Sequence, residues 1–215
     1  IKKIKRRFRV FLFLAPFVIF FLFSGIYFTI LYTSDRSCMK DLDISLLEDG
    51  DLIFRRGKSV ASHAVLVADK GSRFSHVGMI CFQAGEPYVL HAVPYESDDG
   101  VDYLKMERLE DFLAPDLASR TGIYRVKSVD QDVAHRATAK AKSFYDQKAV
   151  FDHSYNMYSD DEYYCTELIC KAYQWAGVEL IKNFETLKLP IGKKDIILPG
   201  TLIRAGKIEQ IFISN

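Results

Sequence analysis

Hydrophobic and polar positions divide the chain into a long uncharged segment near its start and a body of short, alternating segments. Residues 10–32 carry no charged side chain and consist mainly of Phe, Leu, Ile and Val. As an α-helix this segment would be about 35 Å long, enough to cross the ~30 Å hydrocarbon core of a bilayer. The pattern therefore predicts one transmembrane helix over residues 10–32.

The charges on either side of this segment predict its orientation. Lys and Arg crowd residues 1–9, whereas the few charges that follow the segment have little net sign. The positive-inside rule then places residues 1–9 in the cytoplasm and exports the remainder. A cleaved signal peptide is the alternative, although the apolar run is longer than a signal-peptide core and no small-x-small cleavage site follows it. We expect a single-pass membrane protein with a linker over 33–40 and an extracytoplasmic domain over 41–215.

Within that domain, predicted strands alternate with predicted helices. Short apolar runs indicate strands at 52–54, 76–82, 88–93 and 122–126, with one or two more inside 196–213. Amphipathic or capped patterns indicate helices at 59–70, 106–113, 130–145 and 162–176. We take Ser159 and Glu162 as a capping box for the last of these helices. This mixture of local hairpins and interspersed helices predicts an α+β fold with an antiparallel sheet packed against helices.

Composition then narrows the class of protein. The chain is 49% hydrophobic and 27% charged, which is typical of a globular protein and argues against a disordered or fibrous one. Its formal net charge is +1, and the body without the basic N-terminus is mildly acidic. The charge balance therefore gives no reason to expect nucleic acid as a partner.

A cysteine near the start of the last predicted helix is the first candidate for catalysis. Cys165 falls in the first or second turn, where free backbone N–H groups and the helix dipole favour a thiolate. The same N–H groups can donate to an oxyanion that forms when the sulfur attacks a carbonyl. A buried structural cysteine is the alternative, because Cys is among the most buried residue types.

Two of the five histidines are placed to serve this cysteine. If the hairpin is symmetric about Ala84 and Gly85, His91 faces Gly78 and lies on the same side of the sheet as His76. A shift of one residue would send His91 to the opposite side. In the symmetric register His76 can remove the thiol proton, and His91 can bond the far nitrogen of that ring and fix its tautomer. The remaining histidines are expected to be structural or exposed: His63, His135 and His153.

Three segments resemble the YiiX/YaeF-like group, permuted NlpC-type members of the papain-like superfamily. They are residues 50–55 (GDLIFR), 75–78 (SHVG) and 164–169 (YCTELI), and the histidine precedes the cysteine as the permutation requires. The resemblance covers roughly residues 49–177. It implies a circularly permuted papain-like fold with a Cys-His-His triad of Cys165, His76 and His91, where many members of this branch carry Glu at the third position.

The resemblance also implies hydrolysis or transfer at an amide or ester through a thioester. Combined with the anchor, it predicts a thiol hydrolase at the cell envelope, acting on a cell-wall peptide or an N-acyl amino acid, with no cofactor. A lipid acyl hydrolase or acyltransferase on the same triad, with a lipid-linked substrate, stays open, as does a ligand-binding relative without catalysis. A metal site of His76, His91 and Cys165 is a further alternative. The pairing of Cys38, Cys81 and Cys170 is left undetermined.

Overall fold

A six-stranded antiparallel sheet forms the centre of the molecule. The computed structural model describes residues 38–69, 71–97, 100–159, 161–182, 184–189 and 192–214. The strands of the main sheet are β1 (Leu52–Gly57), β2 (His76–Gln83), β3 (Glu86–His91), β4 (Lys105–Arg108), β5 (Ala118–Val126) and β10 (Ile208–Ile213). Their spatial order is β10-β5-β1-β2-β3-β4, and every neighbouring pair is antiparallel.

Helices and two small sheets complete the described structure. The helices are α1 (Val60–Ala68), α2 (Leu109–Phe112), α3 (Gln131–Asp146), α4 (Cys165–Trp175) and α5 (Pro199–Arg204), and a 3-10 turn covers Ile44–Leu46. One small sheet pairs β6 (Val150–Phe151) with β7 (Glu162–Tyr163) in parallel, and the other is a hairpin of β8 (Glu185–Leu189) and β9 (Gly192–Ile196). The predicted α+β class with an antiparallel sheet is confirmed.

Alternating side chains of the main sheet enter two separate hydrophobic clusters. On one face Leu52 and Met79 pack with apolar residues of α3 and α4, such as Ala141 and Leu168. On the other face, Ile53, Ile80 and Val89 pack against Leu109 and Phe112, the buried residues of α2. Residues two apart on a strand point to the same face. Arg55, His76 and His91 therefore lie on the same face of the sheet as the second cluster.

The hairpin of β2 and β3 has the register that its turn predicts. Met79 pairs with Leu90 and Ile80 pairs with Val89. Ala84 and Gly85 both have positive φ, 51° and 86°, as a two-residue hairpin turn of the primed type requires. The symmetric alignment about Ala84 and Gly85 is therefore confirmed, and it sets His91 opposite Gly78.

Three element boundaries differ from the predicted ones. The helix predicted over 162–176 begins only at Cys165, because Glu162 and Tyr163 form β7 and pair with β6. Ser159 therefore caps no helix; its hydroxyl donates to the carbonyl of Glu162 over 2.9 Å. The segment predicted as a helix over 106–113 begins as strand β4, and the closing segment contains α5 before β10. At β7 and β4, pairing with another strand overrides the local preference for a helix.

Among the described residues, no helix is long and apolar enough to cross a membrane. The predicted transmembrane segment at 10–32 and the basic residues 1–9 lie outside the described residues, as does most of the linker. Cys38, the first described residue, is buried in the second cluster with Leu47.

Candidate active site

Cys165 is the first residue of α4, and a short chain of contacts holds that helix start in place. The backbone N–H of Tyr164 donates to a carboxylate oxygen of Glu167 over 3.3 Å, which satisfies one group at the helix entry. The preceding strand pairing is supported by the N–H of Asp152, which donates to the carbonyl of Tyr163 over 3.2 Å. The carboxylate of Asp152 is buried and accepts from Ser154. These contacts of Asp152 thus help to position the cysteine.

The surroundings of the Cys165 sulfur oppose its ionisation. Burial raises the pKa of the thiol to about 11, although the backbone N–H groups of Val77, Thr166 and Cys165 and the positive charge of Arg55 act to lower it. From the sequence, the helix start is expected to favour a thiolate. The N–H groups do act in that direction, but the cost of burying the charge outweighs them. The resting form is therefore a neutral thiol.

His76 and His91 form a direct hydrogen bond at the end of β2 and β3. The Nε2 atom of His76 lies 2.9 Å from Nδ1 of His91, and the two rings meet nearly edge to face, 5.1 Å between centroids. Both rings contact Phe112 of α2. Burial, aided by the charge of Arg55, lowers the pKa of both imidazoles, that of His76 well below its ordinary value. Both rings are therefore neutral near pH 7.

Glu107 on β4 lies beside His91, on the side away from His76. One of its carboxylate oxygens, Oε1, lies 3.0 Å from Nε2 of His91, although the two atoms are not aligned for a linear hydrogen bond. Burial raises the pKa of Glu107, but His91, Arg55 and Lys105 together hold it below its ordinary value. Glu107 is therefore an anion beside the outer nitrogen of His91.

The charge of Glu107 favours one placement of the protons on the rings of His76 and His91. Because an anion favours an N–H beside it, we assign the proton of His91 to Nε2. In that assignment Nδ1 of His91 accepts from Nε2–H of His76. The remaining nitrogen of His76, Nδ1, then holds a lone pair. A neutral imidazole with a free lone pair can take the proton of a thiol.

The thiol of Cys165 is linked to the histidines through the backbone of β2. The N–H of Val77, the residue after His76, acts to lower the pKa of the Cys165 thiol. Among the residues that the structure describes, no hydrogen bond joins the Cys165 sulfur to the His76 ring. Catalytic contacts of this kind are often long in the absence of substrate. The structure thus bonds the two predicted histidines to each other and links Cys165 to the neighbouring residue Val77.

Arg55 is a buried cation in the same place. Its Cα lies opposite that of His76 in the pairing of β1 with β2, and its guanidinium stacks over the ring of Phe112 at 4.5 Å. One nitrogen donates to the carbonyl of Phe112 over 2.9 Å, and another lies 3.4 Å from Glu96. The motif of residues 50–55 contains Arg55, but no pattern in the sequence assigns it an electrostatic role.

The remaining histidines lie apart from this group, as expected. His63 is exposed on α1, His135 is near Asp49 at 3.4 Å, and His153 is 3.0 Å from Asp102. The thiols of Cys81 and Cys170 are not joined in a disulfide. Burial raises the pKa of Cys81 to about 12 and raises that of Cys170 still further.

Comparison with known proteins assigns the family. Residues 46–211 match the model described as permuted papain-like amidase enzyme, YaeF/YiiX, C92 family. The chain belongs to this family. The matched range includes all three predicted site residues and Glu107, and the family is described as one of amidase enzymes.

Two similar proteins extend the comparison. The chain is 32% identical over 130 residues to the uncharacterized protein YiiX of Escherichia coli K12, a match that spans 59% of this chain and 57% of that protein. The chain therefore spans little more than half the length of this relative. The crystal structure of metalloprotein YiiX from Escherichia coli O157:H7 superposes with a TM-score of 0.59 at 22% identity, over 77% of this chain and 96% of that one. At that identity the superposition shows a shared fold.

Proposed function

We propose that this protein is a membrane-anchored thiol hydrolase that cleaves an amide of the cell-wall peptide or N-acyl amino acid type. Cys165 is the nucleophile in this proposal, and His76 and His91 complete the triad. The observation that supports it best is the 2.9 Å bond between Nε2 of His76 and Nδ1 of His91. Because that bond occupies one nitrogen of His76, the other is free for the thiol.

The first half of the reaction is acyl transfer to the enzyme. Nδ1 of His76 takes the proton from Cys165 as the sulfur attacks the carbonyl carbon of the amide. The tetrahedral intermediate collapses, the C–N bond breaks, and His76 returns the proton to the leaving amine. The products of this half are a free amine and a thioester on Cys165.

The second half regenerates the enzyme. Water gives a proton to His76 and adds to the thioester, the C–S bond breaks, and the proton returns to the sulfur as the carboxylic acid leaves. During both halves His76 becomes an imidazolium, which His91 and the anionic Glu107 stabilise from behind. Removal of a general base of this kind typically costs about 10²–10⁴ in rate.

Backbone donors near the sulfur would stabilise the negative oxygen of the intermediate. The N–H groups of Cys165 and Thr166 lie at the start of α4, and that of Val77 lies at the edge of β2. One well-placed donor of this type is worth about 3 kcal/mol in known hydrolases. The charge of Arg55 acts in the same direction.

The membrane anchor and the location are part of the proposal. Residues 10–32 would hold the enzyme in the membrane, with the described residues on the extracytoplasmic side. Substrates available there include cell-wall peptides and lipid-linked compounds. A lipid acyl hydrolase would use the same chemistry on an ester, so the two substrate classes are distinguished by product analysis.

A metal-dependent role is suggested by the description of the YiiX neighbour as a metalloprotein. The described part of this chain contains no group of three or more His, Cys, Asp and Glu side chains arranged to hold a metal ion. Nε2 of His76 and Nδ1 of His91 are also bonded to each other. The site of this chain therefore does not fit a metal through those atoms, and we derive no step through one.

Activity-based labelling tests the proposal. A thiol-reactive acyl probe should label wild-type protein and leave Cys165→Ala unlabelled, and His76→Ala should label much more slowly. His135→Ala is the matched control, since His135 is exposed on α3 and its loss should leave labelling unchanged. Equal labelling of wild type and His76→Ala would separate the base from the nucleophile and refute the proposed triad. Alkylation of Cys165 that leaves turnover intact would refute the hydrolase itself.

A further inference from the structure

Helix α1 is almost entirely apolar, yet none of its residues is buried. Its sequence is VASHAVLVA, and Val60 and Val67 are 89% and 77% exposed. Val60, Ala64 and Val67 follow the i, i+4, i+7 spacing of one helix face, and all three are exposed. An exposed apolar stripe of this kind indicates a surface that contacts a partner.

The helix is firmly held at both ends. Ser59 caps its start by accepting from the N–H of Ser62 over 3.1 Å. Asp69, at its end, is buried and accepts from the N–H of Gly200 over 2.6 Å and from Arg204 over 2.8 Å. The apolar face is therefore presented by an ordered element, not by a frayed one.

Basic residues gather around this helix in an otherwise acidic body. Residues 38–215 contain 22 Lys and Arg against 27 Asp and Glu. Residues 55–73 reverse that balance, with five basic residues and one acidic residue, although one of the five, Arg55, is buried in the candidate site. The acidic one is Asp69, which is already paired with Arg204. Lys58 and Arg73, which flank α1, are both exposed.

The proposed anchor would tether the described residues to a bilayer. The uncharged segment 10–32 ends a few residues before Cys38 in the sequence. An apolar stripe with flanking Lys and Arg is the pattern of a helix that lies in a bilayer interface, where anionic headgroups attract the basic side chains.

We propose that α1 is a second membrane contact, which lies in the headgroup region of an anionic bilayer. Val60, Ala64 and Val67 face the lipid, and Lys58 and Arg73 meet the phosphates. This proposal rests on the membrane anchor proposed above and does not depend on catalysis.

This contact bears on the substrate of the proposed hydrolase. Helix α1 connects β1 to β2, and these strands are paired at Arg55 and His76. A hydrogen bond joins the two ends of this connection: the N–H of Gly57 donates to the hydroxyl of Ser75 over 2.9 Å. The end of the sheet that carries the candidate site thus adjoins α1. A bilayer at α1 would present lipid-linked substrates to that end.

The single tryptophan of the chain makes a direct test possible. Trp175, at the other end of α4 from Cys165, is 60% exposed. In the full chain we would combine Trp175→Phe with Val67→Trp and reconstitute the protein into vesicles of phosphatidylethanolamine and phosphatidylglycerol. The indole introduced on α1 should emit at shorter wavelength and lose intensity when the acyl chains are brominated. Wild-type Trp175 in the same vesicles should show neither change.

Further measurements on the reporter distinguish a bilayer from other partners of the apolar face of α1. Adding Lys58→Glu and Arg73→Glu to the reporter should weaken the quenching, and so should replacing phosphatidylglycerol with phosphatidylcholine. Emission typical of an exposed indole, without quenching, would overturn the proposal. A short-wavelength emission that brominated lipid does not quench, and that persists in detergent, would show that protein covers α1 and would equally overturn it. Cys165→Ala should leave the quenching unchanged, so failure of the proposed catalysis is distinguished from failure of the membrane contact.

Discussion

Glu107 and His91 lie on neighbouring strands with Oε1 of the carboxylate 3.0 Å from Nε2 of the imidazole. The strand pairing sets Val89 opposite Glu107 and His91 opposite Lys105, so the Glu107 side chain must reach diagonally across the ladder. A carboxylate therefore lies one side chain beyond His91, counted from the candidate base His76.

Replacement of Glu107 by Gln should weaken the proposed catalysis without removing it. The change keeps the size of the side chain and removes the charge that stabilises a positive imidazole. A nearby opposite charge shifts a pKa by about 1–3 units, and one unit corresponds to about 1.36 kcal/mol. We therefore expect kcat/KM to fall by about tenfold to a hundredfold. The acid limb of the pH profile should also move to lower pH, because a lost anion makes His76 harder to protonate. Steady-state kinetics across pH measure both effects.

Glu110→Gln is the matched control for that change. Glu110 is on the same segment, about half exposed, and pairs with Arg108 at the surface. Its replacement should leave both the rate and the pH profile unchanged. A Glu107→Gln enzyme with reduced stability but the wild-type pH profile would mean that Glu107 serves structure alone.

The reactivity of Cys165 should depend on pH as that of a buried neutral thiol does. Since the pKa of Cys165 is raised to about 11, alkylation by iodoacetamide should rise about tenfold per pH unit from pH 7 and level off only near pH 11. Because the pKa of His76 lies well below its ordinary value, kcat/KM should stay level as pH falls through 6.5 and decline only in more acid solution. Alkylation kinetics and pH–rate profiles measure the two limbs.

A different pair of profiles would contradict this description. A plateau of alkylation that begins below pH 7 would indicate a thiolate paired with an imidazolium in the resting enzyme. Loss of kcat/KM near pH 6.5 would indicate that His76 is less buried than in this structure.

Gly78→Ala should disturb the histidine pair through packing. A Cβ at this position would lie 2.4 Å from Cγ1 of Val89 and 3.2 Å from Cβ of His91. The space is occupied, so His91 or β3 must shift. Overpacking of this kind costs about 1–3 kcal/mol, and we expect a lower free energy of unfolding together with reduced kcat. Urea denaturation and steady-state kinetics measure the two.

Gly71→Ala provides the comparison for Gly78. Gly71 has a positive φ of 85°, and a methyl group on its Cα would meet nothing within 4 Å. Its replacement should cost about 1–2 kcal/mol of backbone strain and leave kcat unchanged. If Gly78→Ala behaved in the same way, steric contact between residue 78 and His91 would have no part in catalysis.

Several parts of the fold follow from short-range patterns. The pair Ala84 and Gly85 accepts positive φ and sets the hairpin register, so the alignment of His91 with His76 is predictable. Ser59 and Asp130 are the first residues of two predicted helices. They cap α1 and α3 by accepting from backbone N–H groups three residues on. These signals act within a few residues, and their energies do not depend on the rest of the chain.

Other parts required the tertiary structure. Glu162 fits the pattern of a helix residue, yet it pairs with Val150 in β7, and the same kind of pattern predicts a helix at Glu107 although this residue lies on β4. Neither strand is visible locally, because two- to four-residue strands gain their stability from a distant partner. The contact of Glu107 with His91 is therefore hidden from the sequence.

The sequence by itself determined which residues have the chemistry of the candidate site, their order along the chain, and the uncharged segment at 10–32. For a symmetric hairpin it also predicted that His76 and His91 share a face, and the structure confirms that register. Tertiary structure decided that the thiol of Cys165 is neutral and that Glu107 stands behind His91. Those two properties depend on burial and on charges brought together across strands, and desolvation exists only once the chain has packed.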